Sequence, residues 1–228
     1  MAPSPFWPTC GGCWVSPANR NQRAARNARG LSPRPVATRE PRQRFLIVCE
    51  GEKTEPAYFG GFRVPKDVVD VRGVGDNTLG LVRKAIELRD EAMRSGRPED
   101  RYDQVWCVFD RDSFPSESFN AAIKLAWKQG IRVAYSNEAF ELWYLPHFNY
   151  YDSAMSRGDY GEKLGRMLGH PYRKNSDTMY EELERLQGTA VRNARRLLTQ
   201  YDPPNPVNDD PSTTVHLLVE ELSKLVPR

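Results

Sequence analysis

Residues 45–53 have the sequence FLIVCEGEK, and this stretch decides the fold. The residues Phe45–Cys49 are apolar without interruption, which is typical of a strand buried on both faces of a parallel sheet. The strand ends at Glu50 and Gly51, and the glycine allows a sharp turn and a close approach of the backbone to a ligand. A helix is predicted to begin at Thr54, directly after this turn. The stretch therefore predicts a strand, an acidic turn and a helix in that order.

The same alternation of strands and helices continues along the chain to Tyr135. Further strands are predicted at 68–71, 105–109 and 131–135, separated by helices from about 77 to 95 and from 116 to 129. This order predicts an α/β fold with a mainly parallel, Rossmann-like sheet and helices on both faces, in which ligands bind beyond the carboxyl ends of the strands. After Ser136 the pattern is helical, at 139–148, 178–199 and from about 213, so a C-terminal helical subregion is expected to cover the sheet.

The net charge of the chain is the sum of two opposite parts. Residues 1–44 contain eight arginines, no lysine and a single acidic residue, Glu40, and so carry a charge of +7. Because the whole chain is +3, the remainder is −4. The first segment is rich in Pro and Arg and has no sustained apolar period, so residues 1–43 are predicted to be a disordered basic tail and 44–228 the folded domain. The tail either contacts the phosphates of a nucleic acid or is a solvated arm without a specific ligand.

Several classes of protein are disfavoured by the composition. No apolar run approaches the roughly 20 residues that a membrane span requires, and no secretory signal is evident, so a cytoplasmic protein without a membrane partner is expected. The chain has four cysteines, which do not suggest a disulfide framework. Cys10 and Cys13 form one C-x-x-C pair in the tail, which is only half of a zinc site, and their role is left open.

Acidic residues follow two of the predicted buried strands. Asp110 and Asp112 are two residues apart in an extended segment, so both side chains point the same way, and Glu50 follows another strand. Parallel neighbours lie only about 4.8 Å apart, so the three carboxylates can face one Mg²⁺ or Mn²⁺ ion, which prefers oxygen ligands. Without a cation or basic groups nearby they would repel one another. The alternative at this point is an ordinary solvated turn.

Two more residues are candidates for the same site. Glu138 and Glu141 follow the fourth predicted strand, and either can complete a second metal position about 4 Å from the first, as in two-metal nucleases. Glu141 is the preferred candidate, and the alternative is a surface acid or an ion-pair partner. Lys174 either holds a scissile phosphate or lies on the surface without a role.

Three motifs resemble those of a known family. The segments IVCEGEKTEPAYF at 47–59, VFDRD at 108–112 and SNEAFELWYLPHF at 136–148 resemble the RloB family, Toprim-like proteins found in bacterial restriction-linked and abortive-infection loci. The resemblance runs from about Arg44 to the C-terminus and includes PSTTVHLLVEEL at 211–222. It implies a Toprim-like fold, with Glu50 as metal ligand or general acid/base and Asp110 and Asp112 as metal ligands.

The resemblance also implies a function. Such relatives are often encoded with an ATPase, which suggests a two-component antiviral system in which this chain is the effector. The chain contains no G-x-x-x-x-G-K-[ST] phosphate loop, so an ATPase partner would supply any ATP dependence in trans. We expect a magnesium-dependent nuclease that cuts DNA or RNA, with tRNA among the candidate substrates and a homo-oligomer as one possible assembly. The alternatives are a non-catalytic regulatory or nucleic-acid-binding subunit of an ATPase complex, and a primase-like nucleotidyl transferase.

Overall fold

The computed structural model describes residues 43–111 and 116–226. The predicted tail up to residue 42, with Cys10 and Cys13, lies outside the described residues, and so does Asp112. The strands are Phe45–Cys49 (β1), Val69–Gly73 (β2), Gln104–Arg111 (β3) and Arg132–Asn137 (β4). The helices are Thr54–Gly60 (α1), Thr78–Arg94 (α2), Ser116–Lys128 (α3), Glu141–Tyr144 (α4), Arg157–Leu168 (α5), Met179–Leu183 (α6), Gln187–Leu198 (α7) and Val215–Ser223 (α8).

The four strands form one parallel sheet in the order β2-β1-β3-β4. The predicted α/β fold with a mainly parallel sheet is thereby confirmed. β1 and β3 are direct neighbours, and Cys49 at the end of β1 is paired with Val108 of β3. The residues that follow these two strands therefore meet at the same edge of the sheet.

Helices cover both faces of the sheet, because successive side chains of a strand point to opposite faces. Leu46 and Val48 pack in one buried cluster with residues of α2 and α3. Phe45, Ile47 and Cys49 pack in a second cluster, with α1 and the helices of the C-terminal half. Burial of each such large apolar side chain stabilises the fold by about 1.5–3 kcal/mol. The expected helical subregion thus forms the cover of one face.

The segment Ser212–Thr214, just before α8, covers the outer edge of β4. The backbone N–H of Asn137 donates to the carbonyl of Ser212, and that of Thr214 donates to the carbonyl of Tyr135, both at 2.8 Å. The hydroxyls of Ser136 and Thr213 lie 3.0 Å apart and share a hydrogen bond. An edge strand exposes unpaired backbone N–H and C=O groups that can pair with another chain. The segment satisfies such groups of β4 by hydrogen bonding to them.

Three helical segments differ from the sequence-based expectation. The helix expected at 139–148 is reduced to α4, which is followed by a 3-10 turn at Leu145–His147. The helix expected at 178–199 is divided into α6, a short 3-10 turn and α7, and the apolar period continues across the break. α5 lies between the helices expected at 139–148 and 178–199, in a stretch of the helical subregion for which no helix bounds were predicted, and it contains Gly158, Gly161 and Gly165. It forms because Ser156 and Asp159 make a capping box at its start and Tyr160 and Leu164 are buried.

No helix in the described ranges has the length and apolar character that crossing a membrane would require.

Candidate functional site

A cleft of about 410 Å³ lies at the carboxyl ends of β1 and β3. This is the position where open parallel sheets bind their ligands. The acidic side chains that line the cleft are Glu50, Glu52, Glu55, Asp110 and Glu141. The basic side chains that line it are Lys53, Arg157 and Lys174. Four predicted site residues, Glu50, Asp110, Glu141 and Lys174, therefore come together, whereas the fifth, Asp112, lies outside the described residues.

Glu50 and Asp110 are joined through the backbone of β3. The N–H of Glu50 donates to the carbonyl of Val108 at 2.9 Å, which extends the pairing of β1 and β3 by one residue. The N–H of Asp110 in turn donates to Glu50 Oε2 at 3.1 Å. This contact orients the Glu50 carboxylate towards Asp110, as their positions after neighbouring strands predict.

The site contains a buried carboxylate that the sequence-based prediction did not include. Glu55 lies in the first turn of α1 and is only 5% exposed. Burial is the main cause that raises its pKa, and Glu141 adds to the rise, whereas backbone hydrogen bonds and Lys174 lower it. The signal that could have revealed Glu55 is its position in the EGEKTEP motif, since a helix that starts beside a strand end brings its first turn to the same edge.

Gly51 makes room for the Glu55 carboxylate. A methyl group at position 51 would lie 2.1 Å from Glu55 Oε2, much closer than atoms in contact can approach. We expect Gly51→Ala to displace the Glu55 carboxylate and to lower any activity that depends on this carboxylate by roughly a hundredfold, the scale that a misplacement of about 1 Å can cause. The effect on thermal stability should be small, because the atom that must move is the end of a flexible side chain.

The matched control for this change is Gly60→Ala at the last residue of α1, where an added methyl group meets no atom within 4 Å. The activity of each variant, measured beside its melting temperature, tests the expectation. Equal activity of Gly51→Ala and Gly60→Ala would show that the position of the Glu55 carboxylate does not matter.

Glu141 is held at the start of α4 by a tyrosine. Its side chain is only 7% exposed, and Tyr172 donates a hydrogen bond to Glu141 Oε1 at 3.1 Å. Burial is the largest cause that raises the pKa of Tyr172, and Glu141 adds to the rise, so this hydroxyl keeps its proton. Glu141 is thus a buried acid in the cleft and not a solvated surface residue.

Lys174 reaches the cleft through a loop that docks on α1. Thr54 donates a hydrogen bond to the side-chain oxygen of Asn175 at 2.7 Å, across 121 residues of sequence. Asn175 has a φ of 64°, in the left-handed region that few non-glycine residues adopt. The loop brings Lys174 close enough to lower the pKa of Glu55.

Asp110 interacts with every other acid of the carboxylate cluster, which we define as Glu50, Glu55, Asp110 and Glu141. Its pKa is raised well above the ordinary value by burial and then by the charges of Glu55, Glu50 and Glu141, while Arg157 opposes the rise. Arg157 Nη2 lies 3.8 Å from Asp110 Oδ2. Asp110 Oδ1 is buried and has no hydrogen-bond partner among the residues that the structure describes. Such a carboxylate is costly to bury unless a positive charge compensates it.

The donor atoms of this cluster are of the type that Mg²⁺ and Mn²⁺ bind, since all are carboxylate oxygens. The buried, unpartnered Oδ1 of Asp110 also fits a cation. Within the ranges 43–111 and 116–226, however, no group of three or more His, Cys, Asp or Glu side chains is placed to hold a metal ion. The described carboxylates therefore have the right chemistry without forming a complete ligand shell, and the predicted ligand Asp112 falls outside those ranges.

Comparison with known proteins gives one result. The family profile described as RloB-like protein matches residues 45–222, which is most of the chain. No curated protein and no solved structure matches. The chain belongs to the RloB-like protein family, as its motifs suggested.

Proposed function

We propose that this member of the RloB-like family is a metal-dependent nuclease that hydrolyses phosphodiester bonds of DNA or RNA, with tRNA among its candidate substrates. The proposal rests on one observation. Four carboxylates line one cleft at the edge of the parallel sheet where ligands bind, with cationic side chains beside them. These carboxylates belong to Glu50, Glu55, Asp110 and Glu141. Burying several like charges together costs free energy, and a purely structural subunit would gain nothing from that cost. The arrangement is therefore better explained by a ligand that carries positive charge.

The metal residues of the proposal are Glu50, Asp110 and Asp112, with Glu141 and Glu55 beside them. Mg²⁺ or Mn²⁺, when bound, supplies an activated water and stabilises the leaving oxygen of the phosphodiester. Glu50 is oriented for this role by the N–H of Asp110. Lys174, exposed beside the cleft, can bind a phosphate oxygen of the substrate.

We extend the proposal to the biological setting that the family resemblance suggests. The chain acts in the cytoplasm as the effector of an antiviral abortive-infection system, together with an ATPase partner, and its basic tail holds the polynucleotide. A non-catalytic regulatory subunit of the same complex is the rival function. It differs from the proposal in needing no intact carboxylate cluster.

The experiment compares cleavage of DNA, total RNA and tRNA in Mg²⁺ or Mn²⁺ by the wild type, Glu50→Gln and Asp110→Ala. Each reaction is run with and without the product of the neighbouring gene. We expect the wild type to cut at least one class of substrate and both variants to be inactive. Absence of cleavage of every substrate, even with the partner, would contradict the proposal, and so would variants as active as the wild type.

A further inference from the structure

We propose that Arg157 is the phosphate-binding residue of this cleft, a role that rests on the proposed function and deepens it. Arg157 is the first residue of α5, and its side chain lines the cleft with 44% of its surface exposed. Its Nη2 donates to the backbone carbonyl of Glu138 at 2.7 Å and lies 3.8 Å from Asp110 Oδ2. A half-exposed guanidinium is thereby held directly beside the carboxylate that the substrate must approach.

The backbone that holds Arg157 adopts an unusual conformation. Glu138, directly after β4, has a φ of 67°, in the left-handed region that residues with a side chain rarely adopt. Residues held in such conformations cluster at functional sites, where the surrounding structure maintains them. The backbone of Arg157 itself is fixed by the capping box of Ser156 and Asp159, which defines where α5 begins. Both contacts therefore place Arg157 at one defined position of the cleft.

The chemistry of the guanidinium matches a phosphodiester. Its planar fork of N–H donors fits two oxygens of a phosphate, a geometry that a lysine ammonium does not offer. The guanidinium of Arg157 lies 3.8 Å from Asp110 Oδ2, close enough for its positive charge to act on this carboxylate. A divalent cation at Asp110 would compensate that carboxylate, and the positive charge of Arg157 would then favour an anionic substrate. The arginine thus links metal binding to substrate binding.

The proposal is tested by measuring how tightly the full chain binds a fluorescent single strand of DNA or RNA in Ca²⁺, which takes the same oxygen ligands as Mg²⁺. Arg157→Gln is expected to weaken binding by roughly tenfold and to lower the slope of log affinity against log salt by about one. Arg157→Lys should recover only part of the affinity. The matched control is Arg166→Gln in the same helix, whose partner is Glu162 and whose side chain is 72% exposed.

The outcomes separate this proposal from the one on which it rests. Suppose that the wild type binds and cuts nucleic acid, and that Arg157→Gln binds with the same affinity and the same salt slope as the wild type. The proposed role of Arg157 is then refuted, whereas the proposed nuclease function is not. If the wild type neither binds nor cuts, the proposed function itself fails. Melting temperatures of the variants exclude loss of the fold as the cause of weak binding.

A second variant tests how Arg157 is held. Glu138→Gly keeps the backbone carbonyl and removes the side chain, and glycine adopts a positive φ readily. We expect its nucleic-acid affinity to equal that of the wild type. A loss as large as that of Arg157→Gln would overturn the assignment of the carbonyl as the holding group and would give the role to the Glu138 carboxylate.

Discussion

Asp110→Asn is expected to make the protein more stable and to abolish its activity. The substitution keeps the size of the side chain and removes the charge that burial, Glu55, Glu50 and Glu141 all disfavour. We expect the free energy of unfolding in the absence of divalent cations to rise by about 1–2 kcal/mol, or roughly 2–8 °C in melting temperature. Cleavage should fall by at least roughly a hundredfold, because an amide cannot replace the carboxylate at the reacting centre.

A surface aspartate provides the control for this prediction. Asp90 is paired with Arg89 on α2 and does not line the cleft, and its side chain is 42% exposed. Asp90→Asn should leave the activity unchanged and alter the stability by less than about 1 kcal/mol. A less stable Asp110→Asn variant would mean that the charge of Asp110 is already compensated in the free protein.

Divalent cations are expected to stabilise the wild type strongly at neutral pH. A ligand that binds only the folded state stabilises it by about 2.7 kcal/mol when its concentration is a hundred times its dissociation constant. Saturating Mg²⁺ or Mn²⁺ should therefore raise the melting temperature by roughly 5–10 °C for a domain of this size. Most of this gain should be lost in Asp110→Asn, because one proposed ligand and its unfavourable charge are both absent. An equal rise in melting temperature in the wild type and in Asp110→Asn would show that the cations bind at a site that does not include Asp110.

The pH dependence without cations follows from the same carboxylates. The pKa values of Asp110 and Glu55 are raised in the folded state, so each stabilises the fold at acidic pH and loses that contribution as the pH rises through its folded-state pKa. In EDTA the melting temperature should therefore increase as the pH falls from about 8 to about 5. Below that window Asp70 and Glu221, whose pKa values are lowered by Arg72 and Lys224, lose their stabilising contribution. A flat profile, or the same profile in Asp110→Asn, would contradict this account.

The part of the site that could be predicted depends on local sequence. Two uninterrupted apolar runs marked β1 and β3, and the acids directly after them, Glu50 and Asp110, had to lie at the carboxyl edge of a parallel sheet. The structure adds that these strands are neighbours, which the sequence order alone does not determine. Glu141 was expected because it follows the fourth strand within a few residues.

The residues that were missed depend on contacts between distant segments. Glu55 is recognisable as a site residue only once α1 is seen to place its first turn over Gly51. Arg157 begins a helix that three glycines made hard to predict, and its partner is a backbone carbonyl whose orientation comes from a positive φ at Glu138. No periodicity or spacing in the sequence reports such a contact.

The most direct test of the carboxylate centre is the cleavage rate of Glu55→Gln on the nucleic acid that the wild type cuts best, in Mg²⁺. Glu55 is buried in the cleft and keeps its shape as glutamine, whereas the exposed Glu91 on α2 offers a matched change of charge at a residue that does not line the cleft. We predict that Glu55→Gln loses at least roughly a hundredfold in rate while Glu91→Gln retains the rate of the wild type. Equal rates for all three proteins would contradict the account.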